Sequence, residues 1–275
     1  MRRLFEGCSR FLSIDFTPPN RQLFPSDYAN RIMELTAFPI NEKVPGLVNI
    51  LKDHHSATLI HSFETTLVAL KLAKQYDVDA ASIRTIFLGA LFHDIGKIGV
   101  RKDLLDRKRK LTEEERQELY SHGLVGSLIM RDIGLEEISC FCREHHIGNT
   151  RNYNHPKDLS KRHPLTEFIT LADLITATLD SRRPYNKHAH DVKRLSKEEI
   201  IKRGRKLIEK KKKAGVFSQQ LVKVLYNLID SNDIFPPPYK SKDDFDDSDF
   251  QSLIDHFGLR DIFNAIDFSE GLPQN

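Results

Sequence analysis

The stretch SIRTIFLGALFHDIGKIGV, residues 82–100, decides the fold. Its residues from Ile86 to Phe92 are apolar all round, so the sequence predicts a central helix that is buried on every side. His93 and Asp94 follow directly, although imidazoles and carboxylates are uncommon in an apolar core. The two residues are therefore either a local hydrogen-bonded pair or half of a metal site, and the rest of the chain decides between these interpretations.

The neighbouring segments also have a helical period, which predicts an all-α domain. In residues 62–76 the apolar side chains fall on one helical stripe, made of Phe63, Leu67, Leu70 and Ala73. Further along the chain, Thr112 and Glu115 form a capping box that fixes the start of another helix. We find no run of short alternating strands and no internal repeat.

Size and composition suit a globular protein and exclude several other classes. The chain has 275 residues, of which 39% are hydrophobic and 29% charged, and its net charge of +3 is too near neutral to indicate nucleic-acid binding by itself. No apolar run reaches the length of a membrane span. The 3 cysteines do not form a disulfide framework, so we expect a cytoplasmic protein.

Changes in composition divide the chain into three parts. Residues 1–50 are rich in Phe and Pro and are expected to form a short N-terminal helical segment or a small regulatory region. Residues 51–230 carry the helical domain, and residues 231–275 are an acidic tail or docking segment after a proline break. The basic run KRGRKLIEKKKK, residues 202–213, indicates a solvated helix face, and a phosphate-binding patch is the weaker alternative.

Polar side chains on the helices around the central one extend the His93-Asp94 pair into a larger set. A single histidine on an apolar helix face is more often a core residue with its hydrogen bonds made than a metal ligand. Five further polar residues on such faces are hard to explain in that way. Burying several imidazoles and two carboxylates without a cation costs much desolvation energy, so the set predicts divalent metal ions. The additional residues are His61, His122, His145, His146 and Asp173.

The two doublets in this set predict how the ions are shared. Adjacent residues on a helix point about 100° apart. One member of each doublet, His93-Asp94 or His145-His146, can then face one metal while its partner faces the other. Asp94 is best placed to bridge. Imidazole nitrogens and carboxylate oxygens suit Fe, Mn, Zn or Co.

This ordered set, H…HD…H…HH…D, resembles the HD superfamily of metal-dependent phosphohydrolases. HDIGKIGV at 93–100, LTEEE at 111–115 and LADLITATLDSRRPYN at 171–186 are similar to its HD-GYP branch, which hydrolyses cyclic dinucleotides such as cyclic di-GMP. The resemblance covers about residues 55–230 and implies an all-helical bundle around two or three metal ions, commonly iron or manganese. The implied ligands are His61, His93, Asp94, His122, His145, His146 and Asp173.

The resemblance also implies roles for residues outside the ligand set. Lys97 occupies the position of a lysine that reaches the scissile phosphate, so Asp94 and Lys97 are the expected catalytic residues. Arg183, in the RPY segment, matches an arginine that contacts substrate phosphate. Lys187 and Tyr153 are further candidates for substrate binding.

The chain departs from the HD-GYP pattern at several positions. HHIGNTRNYNHP at 145–156 stands where that branch reads approximately HH-E-x-x-D-G-x-G-Y-P. Ala57 replaces a glutamate of the three-metal members, which indicates two metals here. Thr176 replaces an aspartate, and Asn186 replaces a basic residue. Two histidines near Ala57, at positions 54 and 55, are interpreted as surface residues rather than further ligands.

The preferred hypothesis is hydrolysis of a cyclic dinucleotide, cyclic di-GMP or a related one, to the linear form by a hydroxide that bridges the two metals. Two alternatives stay open: a di-iron oxygenase of the same fold, and a non-catalytic nucleotide-binding module that transmits a signal. The substrate is expected to be a nucleotide or another phosphoester, and a homodimer or a signalling partner is not excluded by the sequence.

Overall fold

The computed structural model describes residues 34, 35, 37, 40–147, 159–179, 196–234, 252, 255 and 260. Over these ranges the regular structure is helical and contains no strand, which confirms the all-α prediction. The helices are α1 (Ile40–Tyr76), α2 (Ala80–Phe92), α3 (Lys102–Leu105), α4 (Glu113–Tyr120), α5 (His122–Asp132), α6 (Glu136–Glu144), α7 (Thr166–Leu179), α8 (Lys197–Lys213) and α9 (Gln219–Asp230), with 3-10 turns at Ile95–Gly99 and Leu159–Lys161.

Several sequence predictions fall outside this description. Residues 1–33 and most of the acidic tail lie beyond it, so the proposed three-part division stays a prediction.

None of the described helices is long and apolar enough to cross a membrane.

The central helix is α2, as the apolar run predicted. Every residue from Thr85 to Phe92 is buried. Asp79 caps its N-terminus by accepting a hydrogen bond from the Ser82 amide at 2.9 Å. The helix packs against α1, α6 and α7, so its C-terminal end lies inside the bundle. His93 and Asp94, which follow that end, are therefore buried with it.

The long helix α1 bends at His55, where the backbone leaves the helical region (φ −158°, ψ 94°). The imidazole then acts as an N-cap for the second half of the helix, because its Nδ1 accepts a hydrogen bond from the Thr58 amide at 3.2 Å. The second half carries His61 toward α7. The capping box predicted at Thr112 and Glu115 is also present, at the start of α4.

A pair of threonines fixes the packing of α1 on α7. The hydroxyl of Thr65 lies 3.0 Å from that of Thr176, and both side chains are buried. Thr176 donates its own hydrogen to the Ala172 carbonyl at 2.9 Å, so Thr65 is the donor between the two hydroxyls. These residues lie one helical turn after His61 and Asp173, so their hydrogen bond sets the register between the helices that bring those two side chains together.

A close backbone approach at Gly96 fixes the position of α5. A Cβ built at Gly96 would lie 1.9 Å from the His122 carbonyl oxygen and 2.4 Å from the Gly126 amide nitrogen. These are backbone atoms of α5 and cannot move aside alone. The absence of a side chain at position 96 therefore allows the 3-10 turn to lie directly on the first turn of α5.

Gly96→Ala should consequently displace α5 together with His122. Overpacking of this kind costs about 1–3 kcal/mol, which lowers the melting temperature by roughly 2–4 °C per kcal/mol in a domain of this size. Gly204→Ala is the matched control, because its Cβ would meet only side-chain atoms of Thr178 and Ile175, the nearest of them at 3.2 Å. Thermal unfolding followed by circular dichroism measures both. Equal melting temperatures for the two variants would contradict the account of Gly96.

Thr176→Val should destabilise the protein, because it leaves the buried Thr65 hydroxyl without its acceptor. An unsatisfied buried hydroxyl costs about 1–3 kcal/mol, whereas replacing both partners by apolar groups is nearly neutral. We therefore expect the double variant Thr65→Val/Thr176→Val to recover most of the loss in denaturant unfolding. If the two single losses simply add in the double variant, the hydrogen bond does not couple the helices.

Candidate metal centre

The structure brings together all seven side chains predicted as ligands. They come from α1, the end of α2, the start of α5, the end of α6 and the middle of α7. Six of them form two clusters, within each of which the ligand atoms lie within 4.8 Å of one another: His61, His93 and Asp94 in the first cluster, and His122, His145 and His146 in the second.

Asp94 lies between the two clusters. Its Oδ2 is 3.3 Å from His93 Nε2, and its Oδ1 is 3.2 Å from His122 Nε2. Asp173 completes the first cluster, with its Oδ1 2.9 Å from His61 Nε2 and 3.9 Å from His93 Nε2. The carboxylate of Asp94 therefore faces both clusters, in the position that the sequence predicted for a bridging group.

The hydrogen bonds of three imidazoles fix which ring nitrogen carries the hydrogen. A carbonyl oxygen only accepts, so each Nδ1 that meets one must be the donor, and in the neutral ring Nε2 then presents a lone pair. The three Nδ1 atoms are those of His93, His122 and His145, which lie 2.7, 2.5 and 3.1 Å from the carbonyl oxygens of Ala90, Leu119 and Phe141.

In the neutral rings these Nε2 atoms converge with no hydrogen between them. The Nε2 atoms of His122 and His145 are 3.1 Å apart, and both lie near Asp94 Oδ1. The buried Nε2 of His93 makes no hydrogen bond to any described residue. Ligand nitrogens about 2.1 Å from one ion and at right angles to each other lie roughly 3 Å apart. The donor set therefore fits divalent cations, and the backbone carbonyls supply the outer contacts that orient metal-binding histidines.

The electrostatics keep Asp94 ionised. Burial alone would raise the pKa of its carboxyl group, but the ammonium of Lys97 and the imidazole of His93 outweigh burial and hold this pKa well below its ordinary value. The same carboxylate raises the pKa of His93 against the opposing effect of burial. Asp94 is thus an anion at neutral pH, as a bridging ligand must be.

Asp173 and His145 are held in the charge states that metal ions require. Burial would raise the pKa of Asp173, but the hydrogen bond from His61 and nearby positive charge hold it well below its ordinary value. Burial, followed by the neighbouring imidazoles of His93 and His122, holds the pKa of His145 well below its ordinary value. An ionised Asp173 and a neutral His145 can both bind a cation without first releasing a proton.

Lys97 lies on the 3-10 turn that follows the His93-Asp94 pair. Its Nζ donates to Asp94 Oδ2 at 2.5 Å. The side chain of Lys97 is 15% exposed, whereas that of Asp94 is 3% exposed. The ammonium of Lys97 is therefore fixed at the centre by Asp94, and its side chain is partly open to solvent.

Two details of the sequence analysis need correction. His145 and His146 both lie in the second cluster, with ring centroids 4.0 Å apart, rather than facing different metals. The doublet directly follows the last residue of α6 with His145 still in helical geometry (φ −60°, ψ −20°), so two side chains about 100° apart at this helix end point into one cluster. The second correction concerns His54, which is buried rather than on the surface and has its Nε2 2.9 Å from the Val100 carbonyl oxygen.

The remaining predicted site residues lie outside the described residues. They are Tyr153, Arg183 and Lys187, and Asn186 falls in the same undescribed stretch. Sequence reasoning also missed the threonine pair behind the site, since Thr176 was noted only as the replacement for an aspartate. The signal that could have found this pair is the position of Thr65 four residues after His61 and of Thr176 three residues after Asp173.

Sequence comparisons relate the chain to phosphodiesterases. The 3'3'-cGAMP-specific phosphodiesterase 3 of Vibrio cholerae is 28% identical over 174 residues, which are 61% of this chain and 35% of that protein. A cyclic di-GMP phosphodiesterase of Pseudomonas aeruginosa is 27% identical over 142 residues, which are 50% of this chain and 34% of that protein. The chain thus spans about a third of the length of these relatives.

Solved structures show the same fold. The HD domain of the L. monocytogenes phosphodiesterase PgpH superposes with a TM-score of 0.52 at 17% identity, covering 68% of this chain and 96% of that chain. The structure of the same domain in complex with cyclic-di-AMP gives a TM-score of 0.50 at 15% identity, covering 71% of this chain and 99% of that chain.

A family model described as the HD domain matches residues 58–178, a range that includes the six residues of the two clusters and Asp173. The resemblance to the HD superfamily that the order of histidines and aspartates predicted is thereby confirmed over the stretch that this family model matches.

Proposed function

We propose that this protein is a metal-dependent phosphodiesterase that hydrolyses a cyclic dinucleotide, cyclic di-GMP or a related one, to its linear form. The observation that carries the proposal is the pair of buried ligand clusters with Asp94 between them. Two sequence relatives are named as phosphodiesterases of 3'3'-cGAMP and of cyclic di-GMP, which supports this class of substrate. Their low identity leaves the choice among cyclic dinucleotides to experiment.

The proposal includes two divalent ions, one at each cluster. His61, His93 and Asp173 would hold the first ion, the three histidines of the second cluster would hold the other, and Asp94 would contact both. Nitrogen and oxygen ligands suit iron or manganese, the two metals that we propose. When bound, the ions would supply an activated water for attack on phosphorus and positive charge opposite the phosphoryl oxygens.

Lys97 and Asp94 act as a unit in this proposal. The ammonium of Lys97 donates to Asp94 Oδ2, so each group fixes the orientation of the other. The remaining hydrogens of the ammonium are available to a phosphoryl oxygen, where they stabilise the negative charge that develops during cleavage. Contacts of Arg183, Lys187 and Tyr153 with the substrate are proposed from the family resemblance alone.

Divalent ions should stabilise the fold strongly. A ligand that binds only the folded state stabilises it by about 2.7 kcal/mol at 100 times its Kd, which corresponds to a rise in melting temperature of roughly 5–10 °C for a domain of this size. We expect this rise when Mn²⁺ is added to chelator-treated wild-type protein, and we expect Asp94→Asn to lose most of it. A melting temperature that does not respond to Mn²⁺ or Fe²⁺ would contradict the metal assignment.

Hydrolysis is tested directly with protein loaded with Mn²⁺ or, without oxygen, with Fe²⁺. Cyclic di-GMP, 3'3'-cGAMP and cyclic di-AMP are incubated separately and the linear products are separated by chromatography. We expect turnover of at least one, and a loss of more than about 100-fold in Asp94→Asn, since changes even to residues behind metal ligands cost 10- to 100-fold.

The matched control is Asp79→Asn. Asp79 caps the opposite end of α2, about 20 Å from His93 along a helix of 13 residues, and asparagine caps equally well. This variant should keep wild-type activity. Absence of cleavage in protein that holds two ions per chain would reject the proposal. Oxygen consumption coupled to oxidation of a substrate would instead favour the di-iron oxygenase.

A further inference from the structure

One half-buried carboxylate joins the helix that ends at the metal centre to the helix that carries Asp173. Glu144 is the last residue of α6, so it directly precedes the histidine doublet of the second cluster. Its Oε2 accepts a hydrogen bond from the Thr166 hydroxyl at 2.8 Å and another from the His163 amide at 3.0 Å. Thr166 is the first residue of α7, and His163 lies just before it. Glu144 therefore connects the end of α6 with the start of α7.

The main chain of Glu144 is fixed to the doublet. Its carbonyl accepts a hydrogen bond from the Ile147 amide at 2.7 Å, which closes the turn that contains His145 and His146. The amide of His145 and its ring Nδ1 both lie 3.1 Å from the carbonyl oxygen of Phe141, one turn earlier on α6. A displacement of Glu144 would therefore carry both ligand side chains with it.

The other end of this connection leads to Asp173. Thr166 is fully buried, and Asp173 follows it by seven residues on α7. Seven residues are almost two full turns, so the two side chains lie on the same side of the helix, about 10 Å apart along its axis. In the first cluster, Asp173 Oδ1 is 2.9 Å from His61 Nε2. The helix α7 is thus bonded at its start to the carrier of the second cluster and in its middle to the first cluster.

The contacts of Glu144 are more specific than its neighbours' contacts with the same segment. The ring of Phe141 meets that of His163 edge to face, with centroids 4.9 Å apart, and Glu137 Oε1 lies 3.9 Å from His163 Nε2. A ring contact tolerates some sliding of one helix along the other. Hydrogen bonds to a carboxylate are directional and are roughly twice as strong as those between neutral groups. The two bonds of Glu144 therefore fix the distance between the backbones of α6 and α7.

We infer that Glu144 is a positioning residue that sets the separation of the two ligand clusters, because it ties the His145-His146 doublet to the helix that carries Asp173. This inference rests on the two-ion part of the proposed function. Two ions that share one activated water lie about 3.5–4 Å apart. A shift of the doublet relative to Asp173 changes this separation and turns the imidazoles away from their ion, although Glu144 itself is not a ligand.

The test compares Glu144→Ala with Glu144→Gln and with Glu136→Ala, whose side chain is 83% exposed in the first turn of the same helix. Equilibrium dialysis against buffered Mn²⁺ measures the affinity of each ion. We expect Glu144→Ala to weaken one of the two ions about 10- to 100-fold, as loss of groups that orient metal ligands does. Both donors meet the same oxygen, so the amide oxygen of Glu144→Gln can accept both bonds. That variant and Glu136→Ala should stay within a fewfold of wild type.

A substitution on the other side of the connection tests the same bond. Thr166→Val removes one of the two donors and should weaken the same ion by less than Glu144→Ala does. The double variant Glu144→Ala/Thr166→Val should bind that ion no more weakly than Glu144→Ala alone, because the hydroxyl then has no carboxylate to lose. If Glu144→Ala does not fold, Thr166→Val is compared with Thr166→Ser, which keeps the hydroxyl and should retain the affinity of wild type.

The outcomes distinguish this inference from the proposed function. Two bound ions without hydrolysis of any cyclic dinucleotide in the wild type reject the proposed function, and the ion affinities still decide the role of Glu144. Hydrolysis by the wild type with equal ion affinities in Glu144→Ala and Glu144→Gln overturns that role and leaves the proposed function standing. A lower melting temperature of metal-free Glu144→Ala with unchanged ion affinities indicates a structural role only and overturns the inference. Fewer than two ions in the wild type also overturn it.

Discussion

The Nε2 atoms of His122 and His145 meet the Oδ1 of Asp94 inside the bundle, and in the neutral imidazoles none of these three atoms carries a hydrogen. Each ring has already donated its Nδ1 hydrogen to a backbone carbonyl. Buried acceptors arranged in this way repel one another unless a cation lies among them. A divalent ion bound here would remove this repulsion, and the surrounding helices are those that bring the acceptors to one place.

The fold supplies the rigidity that such a site needs. The buried helix α2 ends at the centre, and the 3-10 turn after it presses Gly96 against the backbone of α5. On the other side, the hydroxyls of Thr65 and Thr176 hold α1 and α7 in register one turn behind the ligands. Ligand positions are thus set by backbone contacts and buried hydrogen bonds, which is what keeps a preorganised site within a fraction of an ångström.

Much of the fold and of the candidate metal centre could be predicted from the sequence, because the clearest sequence patterns are local. The all-round apolar run from Ile86 to Phe92 predicted the central helix, and the order of histidines and aspartates predicted which side chains meet. What the sequence could not supply depends on tertiary packing. The burial of His54 and the bend at His55 follow from how α1 meets its neighbours. That His145 and His146 share one cluster likewise depends on how α6 is placed against α5.

The most direct test of the account is anomalous diffraction from crystals of the Mn²⁺-loaded protein, recorded near the manganese absorption edge. The account predicts two peaks per chain, one among His61, His93 and Asp173 and the other among His122, His145 and His146, with Asp94 between them. A single peak, or peaks away from these side chains, would contradict the claim that the buried clusters form a two-ion centre.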